Sequence, residues 1–186
     1  MKPLPSSSTY AGWLGIVRIL TGAMWLSHAV PKFVNSQDFM PPNGLMATYV
    51  AQGLQRTTGI YHTFLANVVS PNLALFAELV RLGEMFAGVA LLLGVFTRLG
   101  GLVGMILTLD YLAARGNMLS SAALQSLDCS LCVLSAVSLV LPTGRALGID
   151  ALLARRKAAT PTVRAEFVPE PPPTAPPPAP STPMDP

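Results

Sequence analysis

Glu78, Arg81 and Glu84 recur every third residue inside the apolar stretch 73–95, LALFAELVRLGEMFAGVALLLGV. At 3.6 residues per turn the three fall within about 120° of one another, on one face of a helix. The stretch itself is long enough to cross a bilayer. A charge at mid-membrane costs about 2.5–3.5 kcal/mol on insertion scales, so such groups turn toward a bundle interior or a wet cavity and pair there. The chemistry open to them is proton exchange and hydrogen bonding to a polar head group inside a membrane.

Other apolar stretches supply neighbours for that face. Residues 12–33 carry Arg18, His28 and Lys32, the last two four apart and therefore on one helix face. Residues 99–114 carry Asp110, and residues 122–141 carry Asp128. Aligned by depth, His28, Lys32, Glu78, Arg81, Asp110 and Asp128 fall in the outer half of the bilayer, with Glu84 mid-membrane and level with Arg18. Glu78, Glu84, Asp110 and Asp128 are candidate proton-exchanging (catalytic) residues. Arg18, His28, Lys32 and Arg81 are candidate donors to a bound cofactor. Arg18, Lys32 and Arg81 face four carboxylates, so one added proton makes the set neutral, and interacting groups titrate as a unit. The competing reading is an ion-pair network that only sets helix register.

Cys129 and Cys132 have the CxxC spacing of thiol–disulfide chemistry and are candidate redox residues. On an apolar helix the same spacing also arises from two small hydrophobes. A thiol–quinone relay needs a second cysteine pair, and the sequence contains only these two cysteines. No glycine-rich phosphate loop is present, and the two histidines, one of them in a loop, do not make a haem site inside a bundle. No haem, flavin or metal is expected.

The elements that must position these residues follow from composition. The 186 residues are 51% hydrophobic and 11% charged, well below the roughly one-quarter charged residues of a soluble domain. Spans near 12–33, 73–96, 99–114 and 122–141 predict an all-α membrane protein, a four-transmembrane-helix bundle. Strict alternation of the kind a barrel needs is absent. Residues 35–72, punctuated by Pro41, Pro42 and Gly44, are too polar and broken to span. Within them 44–55 has weak helical character and 60–69 suits a short helix at the outer interface, capping the bundle. Trp13 and Trp25 are candidate interface anchors, and Pro31 predicts a bend or helix end. Gly100, Gly101 and Gly104 predict close backbone packing in the third span.

Residues 145–157 form an amphipathic helix for the inner surface. Residues 158–186 are proline-rich and predicted to be disordered. The chain thus divides into a membrane domain, 1–157, and a tail, 158–186. With the N-terminus inside, Lys2, Arg98, Arg145, Arg155, Arg156, Lys157 and Arg164 face the cytoplasm. Only Lys32, Arg56 and Arg115 lie outside, so the positive-inside rule gives N-in/C-in. Arg155-Arg156-Lys157 fits anionic lipid, and nothing calls for nucleic acid. Ser27-His28-Ala29 is a tolerable signal-peptidase pattern, but Arg18 interrupts the apolar region a signal peptide requires.

On these residues the chain resembles the DoxX/DoxD family. The resemblance rests on LGIVRILTGAMWLSHAVPKF (14–33), YHTFLANVVSPNLALFAELVRLGE (61–84), AGVALLLGVFTRLGGLVGMILTLDYLAA (87–114) and GRALGIDALL (144–153), with the Glu84…Gly94…Thr97-Arg98 spacing its most specific part. The long loop between the first two spans is similar to the DoxD-like branch, the small membrane subunit of thiosulfate:quinone oxidoreductase. The resemblance implies a protein of the bacterial or archaeal cytoplasmic (inner) membrane, with quinone as the expected cofactor and a protein partner in a membrane complex. Two functional readings follow. One is a quinone-binding, proton-handling oxidoreductase subunit of sulfur metabolism; the other is a non-catalytic accessory or assembly subunit of a larger respiratory complex.

Overall fold

A computed structural model of the protein describes residues 7–116, 118, 120–141, 143, 148 and 149. The tail 158–186 lies outside the described residues, as does the expected helix 145–157 with its Arg155-Arg156-Lys157 run, apart from Gly148 and Ile149. The described residues are helical, without a strand. The helices are α1 (Ser7–Val34), α2 (Ser36–Phe39), α3 (Leu45–Arg56), α4 (Gly59–Phe64), α5 (Leu73–Leu93), α6 (Thr97–Ala114), α7 (Ser121–Leu124) and α8 (Leu127–Val140).

Four of these build the bundle. α1 packs along α5, α5 along α6 and α6 along α8, while a lighter contact between α1 and α8 closes the ring. The α6–α8 crossing depends on a missing side chain. A Cβ on Gly101 would lie 2.7 Å from the Ser135 carbonyl oxygen and 2.8 Å from the Leu139 nitrogen, so the two backbones meet where the glycine cluster predicts. Gly94 ends α5 in the left-handed region at φ 70°, and its N–H and that of Val95 both donate to the Ala90 carbonyl. This closure lets α6 fold back after three residues.

The bundle has an apolar core around Trp25, Ala87, Leu91 and Leu131 with buried polar groups set among it, and its outer surface is largely apolar. Thr21, Glu84, Thr108, Ser135 and Ser138 are fully buried, whereas Leu20, Leu79, Leu82, Ile106 and Val133 are exposed. Three of the buried hydroxyls are satisfied within their own helix: Thr21 donates to Val17 O at 2.8 Å, Thr108 to Gly104 O at 2.9 Å and Ser138 to Leu134 O at 3.1 Å. By length and composition, α1 holds the one stretch among the described residues, Tyr10–Val34, able to cross a membrane. α5 carries three charged residues, and α8 is only 14 residues long.

Several local expectations change. Trp25 is no interface anchor: it is 1% exposed and its indole donates to Ser135 Oγ at 3.1 Å, tying α1 to α8. Trp13, at 63% exposed, stays on the surface. α1 runs through Pro31 to Val34 because the Asn35 N–H still reaches the Pro31 carbonyl at 2.8 Å. The stretch 122–141 is two helices rather than one. Ser126 accepts from the Cys129 N–H and donates to the Ala123 carbonyl, which starts α8 afresh after α7.

Residues 35–72 cover one end of the bundle. Phe39, Met46, Val50, Leu65 and Val69 form a buried cluster with Ala77 and Val80 of α5, and Leu107 and Tyr111 of α6 pack against it. Between α4 and α5 the helix loosens into a π-turn, Leu65–Val69, and a 3₁₀ turn, Ser70–Asn72. Pro71 brings no N–H to this region, and the Asn72 side-chain amide donates to the Val68 carbonyl at 2.9 Å.

Candidate functional site

The capped end of the bundle joins the last turn of α1, the middle of α5 and the last turns of α6. Lys32 Nζ lies 2.6 Å from both carboxylate oxygens of Glu84, and Tyr111 donates its hydroxyl to Glu84 Oε1 at 2.6 Å. Glu84 is 0% exposed, while the Lys32 side chain keeps 19%. The Phe39 ring covers the ammonium at 4.7 Å, with the Tyr111 ring at 5.9 Å. A carboxylate with no access to water is tolerable only with such partners: the ammonium neutralises it and two charge-assisted donors occupy its lone pairs. Three helices and the cap each contribute one of these groups, so the site exists only in the assembled fold.

Around this centre stand separate pairs. Arg81 grips Glu78 one turn back on α5 with two hydrogen bonds, at 2.6 and 2.5 Å, and its guanidinium lies over Phe33 at 4.7 Å. Tyr61, in the cap, donates to Asp110 Oδ1 at 2.8 Å and sits 3.1 Å from the Asp110 carbonyl. Burial, and then the neighbouring Asp110 charge, push the Tyr61 phenol well above its ordinary range, so it stays a neutral donor. Arg115 meets Asp128 at the rim, with 47% of the arginine side chain exposed. Cys129 and Cys132 are free, half-buried thiols on the first turns of α8.

Two expected members stand apart from that centre. Arg18 is not level with Glu84. It is buried at the opposite end, where Nη1 donates to the Thr143 carbonyl at 3.4 Å and where a Cβ on Gly94 would come within 2.3 Å of it. The error comes from counting depth along unequal helices: α1 has 28 residues and α5 has 21, and their ends are not flush. His28 is half-buried one turn from Lys32, and no hydrogen bond reaches its ring among the described residues. The single charge-balanced set is thus one central triad with satellite pairs. Tyr111, Tyr61 and Phe39 are members that charge patterning overlooked; the available signal was an aromatic residue beside Asp110 at the end of an apolar helix.

A family model described as "TQO small subunit DoxD" matches residues 13–165. The chain belongs to the DoxD family. DoxD is thereby a membrane subunit connected with thiosulfate:quinone oxidoreductase, and a small subunit implies a protein partner in a membrane complex. No curated protein and no solved structure matches the chain. The DoxD match contains every residue of the triad and of the satellite pairs and stops inside the proline-rich tail. Among the described residues of this DoxD chain, no three His, Cys, Asp or Glu side chains gather as metal ligands would.

Proposed function

We propose that this chain is the multi-pass membrane subunit of a thiosulfate:quinone oxidoreductase and that the Lys32–Glu84–Tyr111 triad handles protons for a bound quinone. α1, α5, α6 and α8 cross the bilayer with both termini in the cytoplasm of a bacterium or archaeon. What supports the crossing is the apolar outer surface of the bundle, with its buried polar groups hydrogen-bonded inside, together with the family. Of the three charges in α5, Glu84 is buried against Lys32 and Arg81 is paired with Glu78, which lowers the cost of carrying them into a bilayer.

The observation that carries the proton reading is a fully buried carboxylate held by an amine and a phenol from two other helices. A quinone, when bound, supplies a two-electron acceptor whose carbonyl oxygens take hydrogen bonds and then protons. Lys32 suits such an oxygen, because two of its three N–H groups serve Glu84 and the third remains. Glu84 can hold a proton or release it while Lys32 and Tyr111 keep its position. Asp110, Arg81, Glu78 and Asp128 sit around the triad as the route between it and the outer surface, and the partner subunit delivers electrons from the sulfur compound.

The experiment is thiosulfate-driven quinone reduction in native membranes containing Glu84→Gln at normal protein level. Activity should fall at least 100-fold, the lower range for loss of an acid–base group. Unchanged activity removes the proposal and leaves the accessory-subunit reading.

A further inference from the structure

His28 is the one charged or titratable side chain of the outer α1 region that the network above does not use. Helical phase locates it. Trp25 bonds to Ser135 on α8, while a Cβ on Gly22 would press on Leu92 and Gly88 of α5. At 100° per residue, Gly22 and His28 lie about 60° to either side of Trp25. His28 therefore occupies the flank of α1 turned away from α5 and toward α8. That seam is the loosest of the bundle, since α1 meets α8 far less extensively than α5. His28 lies one turn inward from Lys32 and about 40° farther round the helix from α5. In a chain that spans the membrane, an imidazole left without a partner there is costly, and such groups mark ligand paths.

We infer that the seam between α1 and α8 is a lateral port through which a quinone enters from the lipid, with the imidazole of His28 donating a hydrogen bond to its head group beside Lys32. This rests on the quinone reading above and adds a route and a recognition residue to it. The occupant is an aromatic diketone with a hydrocarbon tail. Its carbonyls match the donors of His28 and Lys32, and its tail can remain in lipid along the exposed faces of α1 and α8. A water-soluble ligand has no reason to use a port that opens to hydrocarbon.

The chain contains two tryptophans, so Trp13→Phe leaves Trp25, at the seam, as the sole indole reporter. The full chain carrying this change, reconstituted in phosphatidylcholine vesicles, is titrated with a decyl-substituted benzoquinone while Trp25 fluorescence is followed. Saturable quenching is expected, with roughly tenfold weaker apparent affinity in His28→Leu, the loss of one good hydrogen bond. His28→Gln, which keeps a donor, should recover most of it. Equal affinity in His28→Leu and its parent overturns the port, including when Lys32→Leu abolishes binding, in which case the head-group site survives alone. Linear, unsaturable quenching in the parent overturns both the port and the quinone site.

Discussion

α1 brings a cation to each end of the bundle, Lys32 from its last turn and Arg18 from near its middle, and the two settings differ. Lys32, at the capped end, pairs with the Glu84 carboxylate of α5, which also accepts from the Tyr111 phenol of α6. Arg18 lies fourteen residues earlier, about 21 Å along the helix. Among its described contacts it donates to the Thr143 carbonyl, with Gly94 and Gly148 drawn in close enough that a Cβ on either would strike its Nη1. One end is assembled from side chains that can gain or lose protons. The other clamps the α5–α6 turn to the segment after α8. Among the described contacts, the capped end is the one that brings titratable side chains together, and that marks it as the candidate for proton chemistry.

The sharpest way to break this contrast is to remove one cation. Lys32→Met leaves Glu84 buried and uncompensated and should cost about 3–5 kcal/mol of stability, measured by thermal unfolding in detergent. The double variant Lys32→Met with Glu84→Leu should recover much of that loss, because replacing both members of a buried pair with apolar groups is often neutral. At the other end, Gly94→Ala places a side chain at φ 70° against Arg18 and should cost about 1–3 kcal/mol without altering quinone affinity.

Smaller effects sharpen the boundary of the site. Tyr61→Phe should cost about 1 kcal/mol through loss of its bond to Asp110. Its pH dependence has a definite sign. The folded phenol titrates above the ordinary value of 10.0, so its contribution is complete below that pH and declines as the unfolded chain ionises above it. Alkaline unfolding curves of the wild type should carry this decline and those of Tyr61→Phe should lack it. Smallest is Arg115→Ala, whose exposed pair with Asp128 should be worth no more than about 1 kcal/mol in the same unfolding assay.

Much of this was legible from residue types. Glu78, Arg81 and Glu84 at a three-residue period located the polar face of α5, and Gly100, Gly101 and Gly104 located the tight crossings. The cap over the bundle followed from the broken polarity of residues 35–72. What stayed hidden was the partner of each charge. Sequence spacing orients a side chain about its own helix, but it does not say how far one helix slides along the next. Hence Arg18 was placed level with Glu84, and Trp25, which has the composition of an interface anchor, turned out to be core. Aromatic members such as Tyr111 and Phe39 carry no formal charge, so a search for charges passes over them.

On the proposed function, Glu84 changes protonation when a quinone is processed. Infrared difference spectra of the chain with its partner, recorded between oxidised and reduced quinone, report carboxyl protonation directly. A carboxyl band should vanish in Glu84→Gln and persist in Asp128→Asn. The same band unchanged in Glu84→Gln would contradict it and would leave the triad as a purely structural knot.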